Sequence, residues 1–246
     1  MLSIVVPVYN EADNIRQILA ALANAVNIPA EVLIVYDDEG DTTLPVARSC
    51  VPPPATEYRL LRNTLGRGPA NALKAGFAAA RGEALLVAMA DLSDDLGVLD
   101  TMLARFADGY DLVAGSRYVK GGQQIGGPWI KGKLSHLAGI SLHMIGLPTH
   151  DPTNSFKLYR TGRLRELSLD NMNGFEINLE IVVKAWRAGW RITEVPARWI
   201  DRTAGRSNFK LLRWLPRYLH WYAYAVSVAI SRGLRLPADS PRKPPK

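Results

Sequence analysis

Residues 87–95, "VAMADLSDD", close an apolar run on a cluster of carboxylates, Asp91, Asp94 and Asp95. Two other apolar runs also end in polar or acidic residues. One passes through Pro7 to Tyr9, Asn10 and Glu11, and the other ends in Asp37 and Asp38. In an open α/β sheet, ligands bind beyond the carboxyl ends of the strands. Three such tips therefore point to one binding edge. Taken singly, each has a plainer explanation: Asp37 and Asp38 cap a helix, and Asp91 to Asp95 form the solvated start of another. Their convergence favours a site.

Other chemistries find little support. "GRGPAN" (66–71) carries only part of a dinucleotide fingerprint and follows the wrong strand, and no phosphate-binding G-x-x-x-x-G-K-[ST] occurs. Four histidines and one cysteine give no zinc spacing. His136 and His143 lie seven apart on a helix, where a core or interface role fits them best. No G-x-S-x-G elbow is present.

The elements that must position these residues follow from periodicity. "LSIVVPV" (2–8), "EVLIVYDD" (31–38), "EYRLL" (57–61), "EALLVAMA" (83–90) and "DLVAGSR" (111–117) read as strands. A helix capped by Asn10 follows the first, with Glu11 and Asp13 in its opening turn and Ile15, Ile18, Leu19 and Leu22 on one face. "GPANALKAGFAAA" (68–80) supplies another helix. Alternation of this kind predicts a mostly parallel sheet flanked by helices, an α/β fold. Further on, a helix lies within 126–148, a strand at 155–160, a helix at 175–189 and a strand at 191–199. After Ser207 comes a Trp/Tyr/Arg-rich amphipathic segment (209–236), then a Pro/Lys/Arg tail (237–246) expected to be disordered.

The chain has 246 residues, 48% hydrophobic and 22% charged, enough for a real core. A lone Cys50 excludes an internal disulfide and suits a reducing compartment. The start, "MLSIVVPVYNE", lacks a basic region before its apolar run, so no signal peptide is expected. The longest apolar stretches, 134–148 and 218–231, fall short of the roughly 20 residues that span a bilayer. Residues 202–246 hold 10 Lys/Arg against one acid, while 1–201 hold 20 against 22. The basic end suits an anionic surface. No nucleic-acid motif accompanies the charge, so nucleic acid is not an expected partner.

The motifs "IVVPVYNEADNI", "VYDDEGDTT", "GRGPANALKAGFAAARGE", "ADLSDD", "GSRYVKGG", "DPTNSFKLYR" and "EVPARWIDRTAGRS" occur in this order. Over residues 2–208 the chain thereby resembles family 2 glycosyltransferases of the GT-A fold, in the polyprenyl-phosphate branch typified by dolichyl-phosphate mannose synthases. The resemblance implies a GT-A domain over 1–208, with a donor half (1–117) and an acceptor half (118–208). It implies a nucleoside-diphosphate sugar bound by Pro7, Tyr9, Glu11, Asp37, Lys74, Ala90 and Asp91. The loop after the second strand is shorter than D-D-G-S-x-D-G-T, so the base is left open. The family's D-x-D acids bind Mg2+ or Mn2+, which clamps the diphosphate. Here Met89 stands at the first acid and Asp91 at the second. A thioether is a poor ligand for either ion. The metal is therefore expected on Asp91, Asp94 and Asp95, with the diphosphate and water.

For the acceptor the resemblance implies a lipid phosphate held by Arg117, Lys131, Lys133, Arg202 and Arg206. Where the family often has Ser-Lys, this chain has Ser207-Asn208, with Lys210 nearby. Asp151 either orients the acceptor or caps a turn. A phosphate monoester is already an anionic nucleophile and needs no strong base. The expected catalytic residues are Asp91, Arg117, Asp151 and Arg202, and in-line attack would invert the anomeric centre. The expected partners are polyprenyl phosphate, the membrane surface and a membrane protein. The expected location is cytoplasmic, peripheral on the inner face of the cell membrane, through 211–235. Two alternatives stay open: a soluble family 2 enzyme with a saccharide or small-molecule acceptor and Asp151 as base, and a non-catalytic nucleotide-sugar binder.

Overall fold

The computed structural model describes residues 1–170, 174–201 and 211–233, with backbone only for Lys131 and 211–214. Arg202, Arg206, Ser207, Asn208, Lys210 and the tail 237–246 lie outside the described residues. The β-branched runs form the expected strands: β1 (Leu2–Pro7), β2 (Ala30–Tyr36), β3 (Thr56–Arg62), β4 (Ala84–Val87) and β5 (Leu112–Ser116). Between them run α1 (Ala12–Ala25), α2 (Thr43–Arg48), α3 (Pro69–Ala79) and, after a single 3-10 turn at Leu96–Val98, α4 (Leu99–Ala107). The second half holds β6 (Gln123–Ile125), α5 (Trp129–Met144), β7 (Lys157–Arg160), α6 (Thr161–Glu166), α7 (Ile177–Arg187), β8 (Ile192–Pro196), β9 (Arg198–Ile200) and α8 (Leu211–Gly233).

One sheet of seven strands runs β3-β2-β1-β4-β7-β5-β8, and β6 pairs with β9 in a second, small sheet. All neighbours in the large sheet are parallel except β7, which is antiparallel to both β4 and β5. Val87 and Ala114 both face Lys157, the first residue of β7. The chain entering β7 therefore arrives at the edge where the parallel strands end. Strand alternation then sorts the core. Leu2, Ile4 and Val6 of β1 join Ile15, Ile18 and Leu19 of α1 on one face. Val5 joins Leu73 and Phe77 of α3 on the other, in the same cluster as Ile181 of α7 and Trp221 of α8.

Three local expectations are corrected. Asn10 does not cap α1: it takes a left-handed φ of 56° and its side chain accepts from the Thr42 N–H at 3.2 Å. Residues 88–90 lie beyond β4, because the ladder with β1 ends at Val5 paired with Val87. The strand expected at 191–199 divides at Ala197, whose N–H donates to the Ser116 carbonyl at 2.9 Å, and its two parts enter different sheets.

Candidate active site

Adjacent parallel strands β2, β1 and β4 deliver Asp37, Tyr9 with Glu11, and Asp91 to one edge. Buried aliphatic strands fix the backbone to that point, and the loops beyond are laced by short polar side chains. Asp41 Oδ1 accepts from the N–H groups of Asn10 (3.1 Å) and Thr43 (2.8 Å), and Thr43 Oγ1 accepts from the Glu11 N–H at 2.9 Å. The second Asp41 oxygen is buried without a hydrogen-bond partner among the described residues. Asp37 spans the next loop, accepting from Asn63 Nδ2 at 2.7 Å and from the Gly68 N–H at 2.8 Å. Gly68 takes φ 121°, open to glycine and to few other residues, and leads into α3. Tyr9 stays exposed. Asp41 and Asn63 were not singled out in the sequence. Their polar character alone gave no signal, since Asn and Asp abound in ordinary turns.

The acids after β4 divide their work. Asp91 is almost fully buried, and its Oδ1 accepts from the Ser93 N–H at 3.2 Å. Asp94 turns back and accepts from the Met89 N–H at 2.8 Å, while its other oxygen is buried with no hydrogen-bond partner among the described residues. Burial pushes the Asp94 carboxyl up to about 7, against the Met89 N–H and with the neighbouring Asp91 charge. One Asp94 oxygen is thereby committed to the backbone at Met89. Asp95 accepts from the Gly97 N–H at 3.2 Å and from the N–H (3.1 Å) and Nε (3.3 Å) of Arg198. Among the described residues, no group of three His, Cys, Asp or Glu is arranged to hold an ion. The expected trio Asp91, Asp94 and Asp95 is thus not a ready cage, because two of its members are spent on backbone and arginine. The arrangement fits an ion held by Asp91 together with the phosphates of a ligand, a sparse habit typical of magnesium.

Lys74 does not reach this edge. Its Nζ donates to the Leu169 carbonyl at 2.7 Å, and burial holds its pKa below that of a free lysine. Lys133 lies over the Trp129 ring, 5.0 Å from its centroid.

On the other side of β7, β5 delivers Arg117. The segment entering β7 delivers Asp151 to meet it. Nε and Nη2 of Arg117 donate to the two Asp151 oxygens at 2.7 and 2.8 Å, and the Arg117 N–H donates to Oδ2 at 3.0 Å. Nη2 also lies 3.3 Å from Ser135 Oγ of α5 and 3.4 Å from Thr153 Oγ1. Nη1 has no hydrogen-bond partner among the described residues. Burial opposes both charges, and each outweighs it for the other: the Asp151 carboxyl is held below the usual carboxylate range and the Arg117 guanidinium above that of free arginine. Asp151 is therefore a fixed anion gripping a cation, poorly suited to accept a proton. Beneath the pair, Lys157 is fully buried and donates to the carbonyls of Pro152 (3.2 Å) and Asn154. Burial draws its pKa down to about 7, with the Asp151 charge opposing.

The site is thus an acidic edge and a buried arginine, separated by one antiparallel strand. Comparison with known proteins agrees with that architecture. The glucosyl-3-phosphoglycerate synthase of Mycobacterium tuberculosis, solved in complex with Mn2+, UDP and glucosyl-3-phosphoglycerate, superimposes with a TM-score of 0.61 at 15% identity over 94% of this chain and 79% of its own. This likeness shows the GT-A fold. The dolichol-phosphate mannosyltransferase of Pyrococcus furiosus is 30% identical over 232 residues, 89% of this chain. The chain spans 64% of that relative's length. The undecaprenyl-phosphate mannosyltransferase of Micrococcus luteus is 32% identical over 212 residues, 83% of this chain and 85% of its own. The sequence pattern described as Glycosyl transferase family 2 matches residues 3–168. The chain belongs to glycosyl transferase family 2.

Proposed function

We propose that the protein transfers a sugar from a nucleoside-diphosphate sugar to a polyprenyl phosphate, with inversion, at the inner face of the cell membrane. One observation carries the choice of acceptor. Asp151, the carboxylate that a neutral hydroxyl acceptor would need as base, is locked in a bidentate pair with Arg117. An acceptor that brings its own negative charge needs no base, and a guanidinium is the group that receives it.

Tyr9, Glu11 and Asp37 border the nucleoside, and Asp91 lies toward its diphosphate. A divalent cation held by Asp91 and the diphosphate would neutralise the charge gathered on the leaving group. Arg117, with Ser135 and Thr153 beside it, holds the acceptor phosphate so that one of its oxygens faces the anomeric carbon. Arg202 and Arg206 lie outside the described residues, and the family resemblance assigns them to the same acceptor phosphate. Because the two relatives are named mannosyltransferases, mannose is the first sugar to try.

The membrane location rests on a helix face. Among the described residues no helix is long and apolar enough to cross a membrane. The helix α8 was expected to lie at the interface, yet Trp221, Ala225 and Val228 pack it on the core. Among the described side chains the larger exposed apolar face belongs to α5, where Trp129 (67% exposed), Leu137 (64%) and Met144 (81%) stand out beside Ile130, Leu134 and Ile140. Residues 117–150 contain no acid. An apolar face within an acid-free stretch suits an anionic lipid surface. The same helix gives Ser135 to the Arg117 site, so docking would bring lipid to the acceptor side. The test is a panel of labelled nucleotide sugars incubated with protein and a short-chain polyprenyl phosphate. Labelled product that inverts the donor's anomeric configuration supports the reading; label passing only to water-soluble acceptors overturns it.

A further inference from the structure

Glu194 lies on β8 and pairs in register with Ala114 of β5, the strand that delivers Arg117. No step above uses it. Its carboxylate nevertheless gathers two consecutive residues. Oε2 accepts from Thr149 Oγ1 at 2.9 Å and from the His150 N–H at 2.8 Å, and Oε1 lies 2.5 Å from His150 Nδ1. The next residue is Asp151, whose N–H donates to Thr149 Oγ1 at 3.1 Å. A continuous path therefore runs from Glu194 through Thr149 to Asp151 and the Arg117 guanidinium. From the opposite side α5 closes on the same peptide. A Cβ at Gly139 would stand 1.9 Å from the His150 carbonyl oxygen, so only glycine lets the helix approach. His143 of α5 stacks on the His150 ring at 3.7 Å between centroids, and its Nδ1 lies 2.9 Å from the Leu147 carbonyl.

An ion pair locates a phosphate only as well as its carboxylate is itself located, and the supporting layer decides this. We infer that Glu194 and His150 are positioning residues for the acceptor phosphate: they fix the Thr149–Asp151 peptide, and through Asp151 they aim Arg117. This rests on reading Arg117 as the phosphate-binding group. A purely structural role would lower the melting temperature and leave the two substrates equally affected.

The test uses full-length wild type, Glu194→Ala, Glu194→Gln and His150→Ala. Calorimetric binding is measured with a short-chain polyprenyl phosphate and, separately, with a nucleoside diphosphate plus magnesium. Glu194→Ala should weaken polyprenyl phosphate about ten-fold or more, on the scale of lost supporting contacts, and leave nucleotide affinity unmoved. Glu194→Gln keeps an oxygen for the Thr149 and His150 donors and should restore most of the loss. It also serves if the alanine variant does not fold. His150→Ala should show a smaller loss of the same kind. Equal weakening of both ligands, or no change in polyprenyl phosphate binding, overturns the inference alone. If wild type binds nucleotide but no polyprenyl phosphate, the inference falls together with the proposed acceptor.

Discussion

Asp151→Asn separates a structural anion from a catalytic base. The change keeps shape and removes one charge from a pair in which Asp151 is fully buried and the Arg117 side chain is 11% exposed. Asparagine still offers one oxygen, but it opposes the guanidinium with a donor group. Breaking a buried pair by removing one partner typically costs about 3–5 kcal/mol, because the remaining charge stays desolvated. At about 2–4 °C per kcal/mol for a chain of this size, the melting temperature should fall by about 6–20 °C. Removing both charges, as in Arg117→Met with Asp151→Leu, should recover much of that loss. The pH dependence follows from the lowered Asp151 pKa. The pair's contribution is fully present above the unfolded value of about 3.9 and is lost as pH falls through the lower folded value. The gap between wild type and Asp151→Asn should therefore hold or widen from pH 8 to pH 5, since the Asp151 charge also supports protonated Lys157, and close only in stronger acid. Scanning calorimetry across that range decides it. A gap that closes near pH 6, or a variant as stable as wild type, would refute the reasoning.

Three further outcomes follow. Asp91→Asn should abolish transfer while circular dichroism stays native, since Asp91 is the acid left for the diphosphate; full activity would remove it from the site. Met89→Asp should lower the magnesium or manganese concentration for half-maximal transfer about ten-fold, on the scale by which even outer contacts weaken metal sites. If Met89 serves packing instead, the new acid will lower the melting temperature without that gain, and full wild-type turnover in excess chelator would sink the cation altogether. Flotation should recover the full chain with anionic vesicles, less so in high salt, and Leu137→Glu with Met144→Glu should prevent it; undiminished recovery would clear α5 as the contact.

Much of the N-terminal half was legible because buried parallel strands read as continuous apolar runs, and ligands of open α/β sheets bind at their tips. The strands β1, β2, β3 and β5 and helices α3 and α7 lie within a few residues of their periodic segments. Short elements escaped: α2 and α6 have six residues and β6 has three, too few to show a period. The reversed direction of β7 was not legible, because alternation is the same in either sense, yet that reversal brings Asp151 to Arg117. Pairs such as Arg117 with Asp151, or Glu194 with Thr149, join residues 34 and 45 apart. Only the fold reveals them. The acids after β4 show the converse limit. Sequence proximity grouped Asp91, Asp94 and Asp95, and hydrogen bonds to Met89 and Arg198 divide them.

The central claim is that a lipid-borne phosphate is the nucleophile. The direct measurement incubates the protein and one labelled nucleotide sugar with polyprenyl phosphate or with the matching polyprenol, then counts label extracted into organic solvent. The account predicts label in the organic phase with the phosphate and none above background with the alcohol. Equal labelling of both, or of neither while a water-soluble acceptor is glycosylated, would contradict it.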